Sequence, residues 1–228
     1  MLNNKKITIS IERFSPSFPK KFVEYTVQID RKSTLLDVLV DIRETLDPTL
    51  SFRRSCRSGI CGSCAMNING KNGLACETLV WGYSGAIKVR PIPGFAVLTD
   101  LVVDLDPFYA ALESVATTQI ADPLQTSRQR EALDGFVECI HCAACTSACP
   151  QFLHEEEYPG PAFFLKAWSQ LADSRRNGKS VLLSAIENRG LWACDLYMNC
   201  VAVCAKGLNP TAAIINIRNC QKLLSREL

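Results

Sequence analysis

Eleven of the twelve cysteines in this 228-residue chain fall into three tight groups, and their spacing limits what the chain can fold into more than any other feature. The groups are Cys56, Cys61, Cys64 and Cys76; Cys139, Cys142, Cys145 and Cys149; and Cys194, Cys200 and Cys204, with Cys220 alone. In a reducing compartment, thiols two or three residues apart are metal ligands far more often than disulfides. The segment SCRSGICGSCAMNINGKNGLAC has the spacing C-x4-C-x2-C, with a fourth cysteine eleven residues further on. Its opening is the plant-type [2Fe–2S] signature. Such a loop must wrap two irons while backbone N–H groups point at the sulfurs, and Gly59 and Gly62 allow the conformations this requires. A structural zinc site is the alternative, but zinc ribbons pair two short C-x2-C knuckles and have no use for the glycine-laced x4 loop.

CIHCAACTSACP, residues 139 to 150, is the bacterial ferredoxin run C-x2-C-x2-C-x3-C-P, in which three cysteines hold one cluster and the fourth serves a neighbouring one. CDLYMNCVAVC keeps the same frame with Tyr197 where the middle cysteine belongs. By the crossed-ligand rule, Cys204 joins Cys139, Cys142 and Cys145 in a [4Fe–4S] site. Cys149, Cys194 and Cys200 remain, and three thiolates suit a [3Fe–4S] cluster. Cys220 reads as a small apolar residue of the last helix.

Around these groups the chain changes character once. Ile7, Ile9 and Ile11, then Val23, Tyr25, Val27 and Ile29, alternate with polar residues and predict a hairpin joined through Pro16 and Pro19. Thr34 and Asp37 form a capping-box pattern ahead of a helix carrying Leu35, Val38, Leu39, Ile42 and Leu46 and ending at Pro48. Strands are expected at Ala65–Ile68 and Leu74–Cys76, flanking the turn-rich 69–73, and a last one at Ile87–Val89. From residue 101 the patterns are helical: Leu101–Val115, Glu131–Cys139, Pro161–Leu171, Val181–Trp192 and Thr211–Leu224, with a polar connector at Ala121–Arg130. The expected fold is α+β, with a β-grasp plant-type [2Fe–2S] ferredoxin domain over residues 1–100. An all-α, bacterial-ferredoxin-like two-cluster domain follows over 101–228.

The formal charge of +2 predicts no strong affinity for nucleic acid. Residues 1–100 carry 14 Lys and Arg against 9 Asp and Glu, so the first domain is the basic one. Arg53, Arg54 and Arg57 around Cys56 could steer a partner or tune the first cluster, or form a plain solvated face. No apolar run reaches the roughly 18 residues that span a bilayer, and MLNNKKITISIERF lacks the core and cleavage site of a secretory signal. A mature, non-exported chain that does not itself cross a membrane is expected.

A β-rich [2Fe–2S] domain ahead of a helical two-cluster domain resembles the iron–sulfur subunit of succinate dehydrogenase and fumarate reductase, respiratory complex II. SCRSGICGSCAMNINGKNGLAC, CIHCAACTSACP and the C-x5-C-x3-C group leading into Lys206-Gly207-Leu208-Asn209-Pro210 carry the resemblance, which covers nearly the whole chain. It implies electron transfer from FAD in a separate flavoprotein subunit through [2Fe–2S], [4Fe–4S] and [3Fe–4S] to quinone. The quinone would lie beside membrane-anchor subunits, with or without haem b, on the cytoplasmic face of the inner membrane, and the chain alone would be inactive. Ala205 stands where the family commonly has proline. Phe152-Leu153-His154 and Cys194-Asp195 stand where many ubiquinone-linked members have tryptophan and histidine, which leaves menaquinone, or flow toward fumarate, open. His154 and Arg218 are candidates for the quinone end, Arg218 also for a haem propionate, and His141 reads as a local hydrogen-bond donor. Rival readings are another flavin-linked oxidoreductase subunit, which would ordinarily carry two complete cysteine runs, and a non-enzymatic cluster or zinc module.

Overall fold

Alternation buries Ile7, Ile9 and Ile11 on one face of β1 (Lys5–Ser15), and Tyr25, Val27 and Ile29 on β2 (Phe18–Ile29). The two strands run antiparallel, with Ile9 opposite Tyr25 and Ile7 opposite Val27. The computed structural model describes residues 5–116 and 124–224, so Met1–Asn4 and the 121–123 part of the expected connector lie outside the described residues.

At Thr34 the capping box forms as its sequence predicts. The Thr34 hydroxyl accepts from the Asp37 N–H at 3.2 Å, and the Asp37 carboxylate accepts from the Thr34 N–H at 3.0 Å. Helix α1 (Leu35–Asp41) buries Leu35, Leu36, Val38 and Leu39, and then opens into a π-helical turn over Ile42–Leu46. There the Asp47 N–H donates to Ile42 O at 2.8 Å. Sequence periodicity carried the helix through Leu46, but the wider turn breaks the 3.6-residue phase and leaves Leu46 exposed.

β3 (Ala65–Ile68), β4 (Lys71–Leu74) and β5 (Ile87–Arg90) complete a mixed sheet ordered β2-β1-β5-β3-β4, in which β1 and β5 are parallel. The expected 69–73 turn is tighter than its composition suggests, since Lys71–Gly73 pair with β3 and only Asn69-Gly70 lie outside the strands. Cys76 leaves the sheet for a 3-10 turn at Ala75–Glu77. Ile87–Val89 is not the last strand, because β6 (Val97–Thr99) pairs with β7 (Val102–Val103). That hairpin occupies the start of the expected helix at Leu101. Short apolar runs do not distinguish strand from helix, and the helix, α2 (Asp106–Glu113), begins with Pro107 in its first turn.

Compact units cover Met1–Asp104 and Leu105–Leu228. In the first, Arg13 is buried at the end of β1 and held by Asp47, by Asp100 at 2.9 Å and by the Tyr25 hydroxyl at 2.8 Å. Asp100 also accepts from the N–H groups of Phe14 and Ser51.

The second unit adds α3 (Ser127–Glu131), α4 (Ala144–Ser147), α5 (Pro150–His154), α6 (Pro161–Ala172), α7 (Lys179–Glu187), α8 (Asn199–Ala202) and α9 (Pro210–Leu224). The expected helix over Glu131–Cys139 is mostly turn: α3 starts earlier on a Thr126–Gln129 capping box, and Gly135 takes a left-handed φ of +80°. The expected Val181–Trp192 helix likewise stops at Glu187, ahead of Gly190 at +76° and a 3-10 turn over Leu191–Ala193. Helices α6 and α9 pack together. Leu165, Leu208 and Ala213 form a buried cluster joined by Phe136, Trp168, Cys139 and Cys204, which seats two cysteine-bearing loops on the helical core.

Candidate cluster-binding sites

The first cysteine group sits on a loop closed by the β3–β4 hairpin. Cys64 immediately precedes β3 and Cys76 follows β4. Ala65 pairs with Leu74, and the Ala75 N–H donates to Cys64 O at 3.1 Å, so the eleven-residue gap is a hairpin that returns the chain to its start. Cys56 and Cys61 come from the glycine-laced loop. The N–H groups of Ser58, Ile60 and Cys61 donate to Cys56 Sγ at 3.4, 3.3 and 3.2 Å, that of Gly59 to Cys76 Sγ at 3.4 Å, and that of Cys56 to Cys61 Sγ at 3.5 Å. Five amides aimed at three sulfurs make a cradle for thiolates. The Ser58, Cys61 and Ile60 amides pull the Cys56 thiol down to about 6, whereas burial pushes Cys64 up to about 12. Gly59 is required twice, by φ of +67° and by the Glu77 carboxylate, 2.0 Å from where a Cβ would lie. Arg54 and Arg57 are exposed beside this loop, while Arg53 donates to Val103 O at 2.5 Å.

Seven of the other eight cysteines line two cavities in the helical unit. Cys139, Cys142, Cys145 and Cys204 border one of about 380 Å³ with Leu165 and Leu208. Cys149, Cys194 and Cys200 border another of about 310 Å³ with Tyr158, Tyr197 and Thr211. Each cavity draws cysteines from both runs. Burial pushes five of these thiols up: Cys142 to about 11, and Cys139, Cys145, Cys149 and Cys200 as well. Neutral when empty, they must release protons to bind metal. Among the described residues no three His, Cys, Asp or Glu side chains converge on the position of one ion. The thiols are instead spread around the walls of the two cavities.

The two runs share a backbone. His141 and Ala143, two and four residues after Cys139, have left-handed φ of +52° and +63°; Leu196 and Met198, two and four after Cys194, have +59° and +61°. A short helix starts at once in each case, α4 after Ala143 and α8 after Met198. Non-glycine residues pay for this conformation, so its recurrence marks a loop shaped for its sulfurs. Tyr197 occupies the place of Cys142 in that shared frame, and its side chain is 59% exposed, with the hydroxyl donating to Asp195 at 3.3 Å.

His141 borders the four-cysteine cavity and its pKa is lowered, by burial and then by Lys166. His154 is exposed at the end of α5 and lines neither cavity. Arg218 braces the Cys194 loop from within the same unit. Its guanidinium donates to Leu191 O at 3.1 and 2.9 Å and to Cys194 O at 2.8 Å, and it stacks over Trp192. Cys220 lies half-buried in α9, away from both cavities. Sequence reasoning passed over Thr211, whose buried hydroxyl is 3.3 Å from Cys200 Sγ, and Tyr158. The available signal was a hydroxyl residue one position after Asn209-Pro210 and a lone aromatic between acidic residues and Pro159-Gly160-Pro161.

Comparison with known proteins finds cluster-binding domains over both cysteine-bearing regions. A 2Fe-2S iron-sulfur cluster binding domain matches residues 8–110, and a 4Fe-4S dicluster domain matches residues 135–208. The succinate dehydrogenase [ubiquinone] iron-sulfur subunit 1, mitochondrial, of Oryza sativa subsp. japonica is 42% identical over 94% of this chain and 82% of its own. The succinate dehydrogenase iron-sulfur subunit of Paracoccus denitrificans is 42% identical over 86% of this chain and 79% of its own. Among solved structures, a chain of the Mycobacterium smegmatis Sdh1 complex in the apo form superposes with a TM-score of 0.87 at 23% identity, covering 95% of each chain. A hypothetical protein from Helicobacter pylori gives 0.57 at 19% identity, over 93% of this chain and 39% of its own. These two support the fold alone. With a β-grasp [2Fe–2S] ferredoxin domain, a helical dicluster domain and close sequence relatives throughout, the chain belongs to the iron–sulfur subunits of succinate dehydrogenase, the electron-transfer components of that oxidoreductase.

Proposed function

We propose that this chain carries electrons one at a time from FAD in a flavoprotein subunit to a quinone beside its membrane-anchor subunits, in the direction of succinate oxidation. In this reading Cys56, Cys61, Cys64 and Cys76 hold [2Fe–2S]; Cys139, Cys142, Cys145 and Cys204 hold [4Fe–4S]; and Cys149, Cys194 and Cys200 hold [3Fe–4S]. When bound, such clusters supply one-electron redox change with little rearrangement, which couples a two-electron flavin to a distant acceptor. The observation that carries the reading is the division of the seven later cysteines between two cavities, four and three, with Tyr197 in the frame position of the absent eighth.

The chain's own residues do the rest. Amides of the 56–61 loop stabilise thiolate charge at the first site, and Ala143, Ala162, Leu165 and Leu208 give the second an apolar wall. Trp192, Leu196, Tyr197 and Met198, each 40% exposed or more, form an apolar fringe by the third, of the kind that docks a partner. No helix among the described residues is long and apolar enough to cross a membrane, so attachment at the cytoplasmic face would fall to the anchor. The basic first hundred residues, with Arg54 and Arg57 exposed beside Cys56, suit the flavoprotein side.

The test is Cys200→Ser in the membrane-bound complex. Wild type should contain about nine irons per chain and show an oxidised [3Fe–4S] resonance. The variant should lose that resonance and quinone reduction, while succinate still reduces the first two centres. Failure of succinate to reduce the [2Fe–2S] centre, with its signal and the flavin intact, would overturn the proposed order.

A further inference from the structure

The three-cysteine cavity contains a polar group that nothing yet described employs. Tyr158 is 2% exposed and borders the cavity with Cys149, Cys194 and Cys200. Its ring leans on Phe164, the centroids 5.6 Å apart, and its opposite flank meets Gly190, where a Cβ would come within 3.2 Å of Cδ2. The ring is therefore held in place. Its hydroxyl is buried beside the Cys194 thiol, yet makes no hydrogen bond of ordinary geometry. Buried hydroxyls are nearly always paired, and phenylalanine would fill the same space without the penalty of a desolvated O–H. A phenol is a hydrogen-bond donor in its ordinary protonated form. Thr211 differs, because its hydroxyl already has Cys200 Sγ as a partner.

We propose that the Tyr158 hydroxyl donates a hydrogen bond to a sulfur of the cluster held by Cys149, Cys194 and Cys200, and thereby raises the reduction potential of that centre. This inference rests on the three-cluster reading above. Reduction adds one negative charge to the cluster, and a donor aimed at its sulfur stabilises the reduced form more than the oxidised one. Tyr158 is neither oxidised nor deprotonated in the process. Its hydrogen bond makes the last centre a better electron acceptor.

The experiment is a redox titration of the membrane-bound complex, following the oxidised [3Fe–4S] resonance in wild type and in Tyr158→Phe. The variant keeps the ring and its packing, so the resonance should persist. Its equilibrium constant for reduction should fall about tenfold, which is ~59 mV for one electron, and the other two centres should keep their potentials. Incorporation of 3-fluorotyrosine at position 158, a stronger donor of nearly the same size, should shift the potential the opposite way. It also provides the test if the phenylalanine variant fails to assemble. An unchanged potential in whichever of the two variants assembles overturns the inference while leaving the cluster assignment intact. Absence of any [3Fe–4S] resonance from wild type overturns the assignment itself, and the inference with it.

Discussion

Replacing Arg218 with methionine removes a clamp on the loop that carries Cys194. The guanidinium gives three N–H bonds of 2.8 to 3.1 Å to two carbonyls, Leu191 O and Cys194 O, and stacks 5.3 Å from the Trp192 ring centre. Hydrogen bonds from charged donors contribute about 1.5–3 kcal/mol each. Arg218 is only half-buried, so the lower end applies for each carbonyl, giving about 3 kcal/mol. The exposed stack adds ~0.5 kcal/mol. Methionine retains the apolar stem, so the loss falls on the carbonyls rather than on packing. That energy corresponds to roughly two orders of magnitude in the equilibrium between closed and open loop. In urea titrations of the intact complex, the Arg218→Met third-centre resonance should vanish at lower urea than wild type, while the [2Fe–2S] signal keeps its midpoint. Arg218→Lys, with a point charge instead of a fork, should recover less than half of the loss. Loss of the third centre at the wild-type urea concentration would refute the clamp. If quinone turnover fell while that centre kept full resistance, Arg218 would instead be touching the quinone or anchor.

Three other outcomes are expected. Gly160→Ala combines a φ of +86° with a Cβ 2.4 Å from Thr146 Cγ2; it should cost about 3 kcal/mol, and since Thr146 lies between Cys145 and Cys149, iron analysis should show both later clusters depleted. Tyr197→Cys places a thiol where the shared left-handed frame has Cys142; the [3Fe–4S] resonance should give way to a [4Fe–4S] signal of lower potential, and an unaltered resonance would count against that frame. Asp173, held at about 2 chiefly by the Arg175 guanidinium, has its carboxylate pKa depressed on folding; its stabilisation is complete above the ordinary 3.8 and lost as pH falls toward 2, so the urea-midpoint gap between wild type and Asp173→Asn should narrow over that window.

Legibility from sequence followed the range of each interaction. The capping box at Thr34 and the β1–β2 hairpin depend on residues a few positions apart or on simple alternation, and both form as read. That Cys204 borders one cavity with the first run, and Cys149 the other with the second, parallels the crossing that the ferredoxin spacing encodes. Features built from distant residues left no local trace: Arg13 finds Asp47 and Asp100 through the fold alone. Tyr158 was hidden differently, since Glu155, Glu156 and Glu157 make its surroundings look solvated although its ring turns inward. The helices over-read at Glu131–Cys139 and Val181–Trp192 failed for one reason: apolar periodicity continued past Gly135 and Gly190, whose left-handed conformations end the pattern.

The interleaving of the two cysteine runs also bears on how the protein is made. The four-cysteine cavity lacks Cys204, and the three-cysteine cavity lacks Cys194 and Cys200, until the ribosome has passed the second run. Neither can be finished during synthesis of the first half of the helical unit, and α9, which closes the core beside Leu165 and Leu208, emerges last of all. All four thiols of the first run are thus exposed and ligand-hungry for the whole interval. The β3–β4 hairpin, by contrast, completes its site within a short stretch of chain. Maturation should therefore proceed in two stages, an early local loading of the N-terminal ferredoxin and a late, concerted loading of the helical unit, so a chain truncated before Cys194 is expected to mature only in its N-terminal ferredoxin unit.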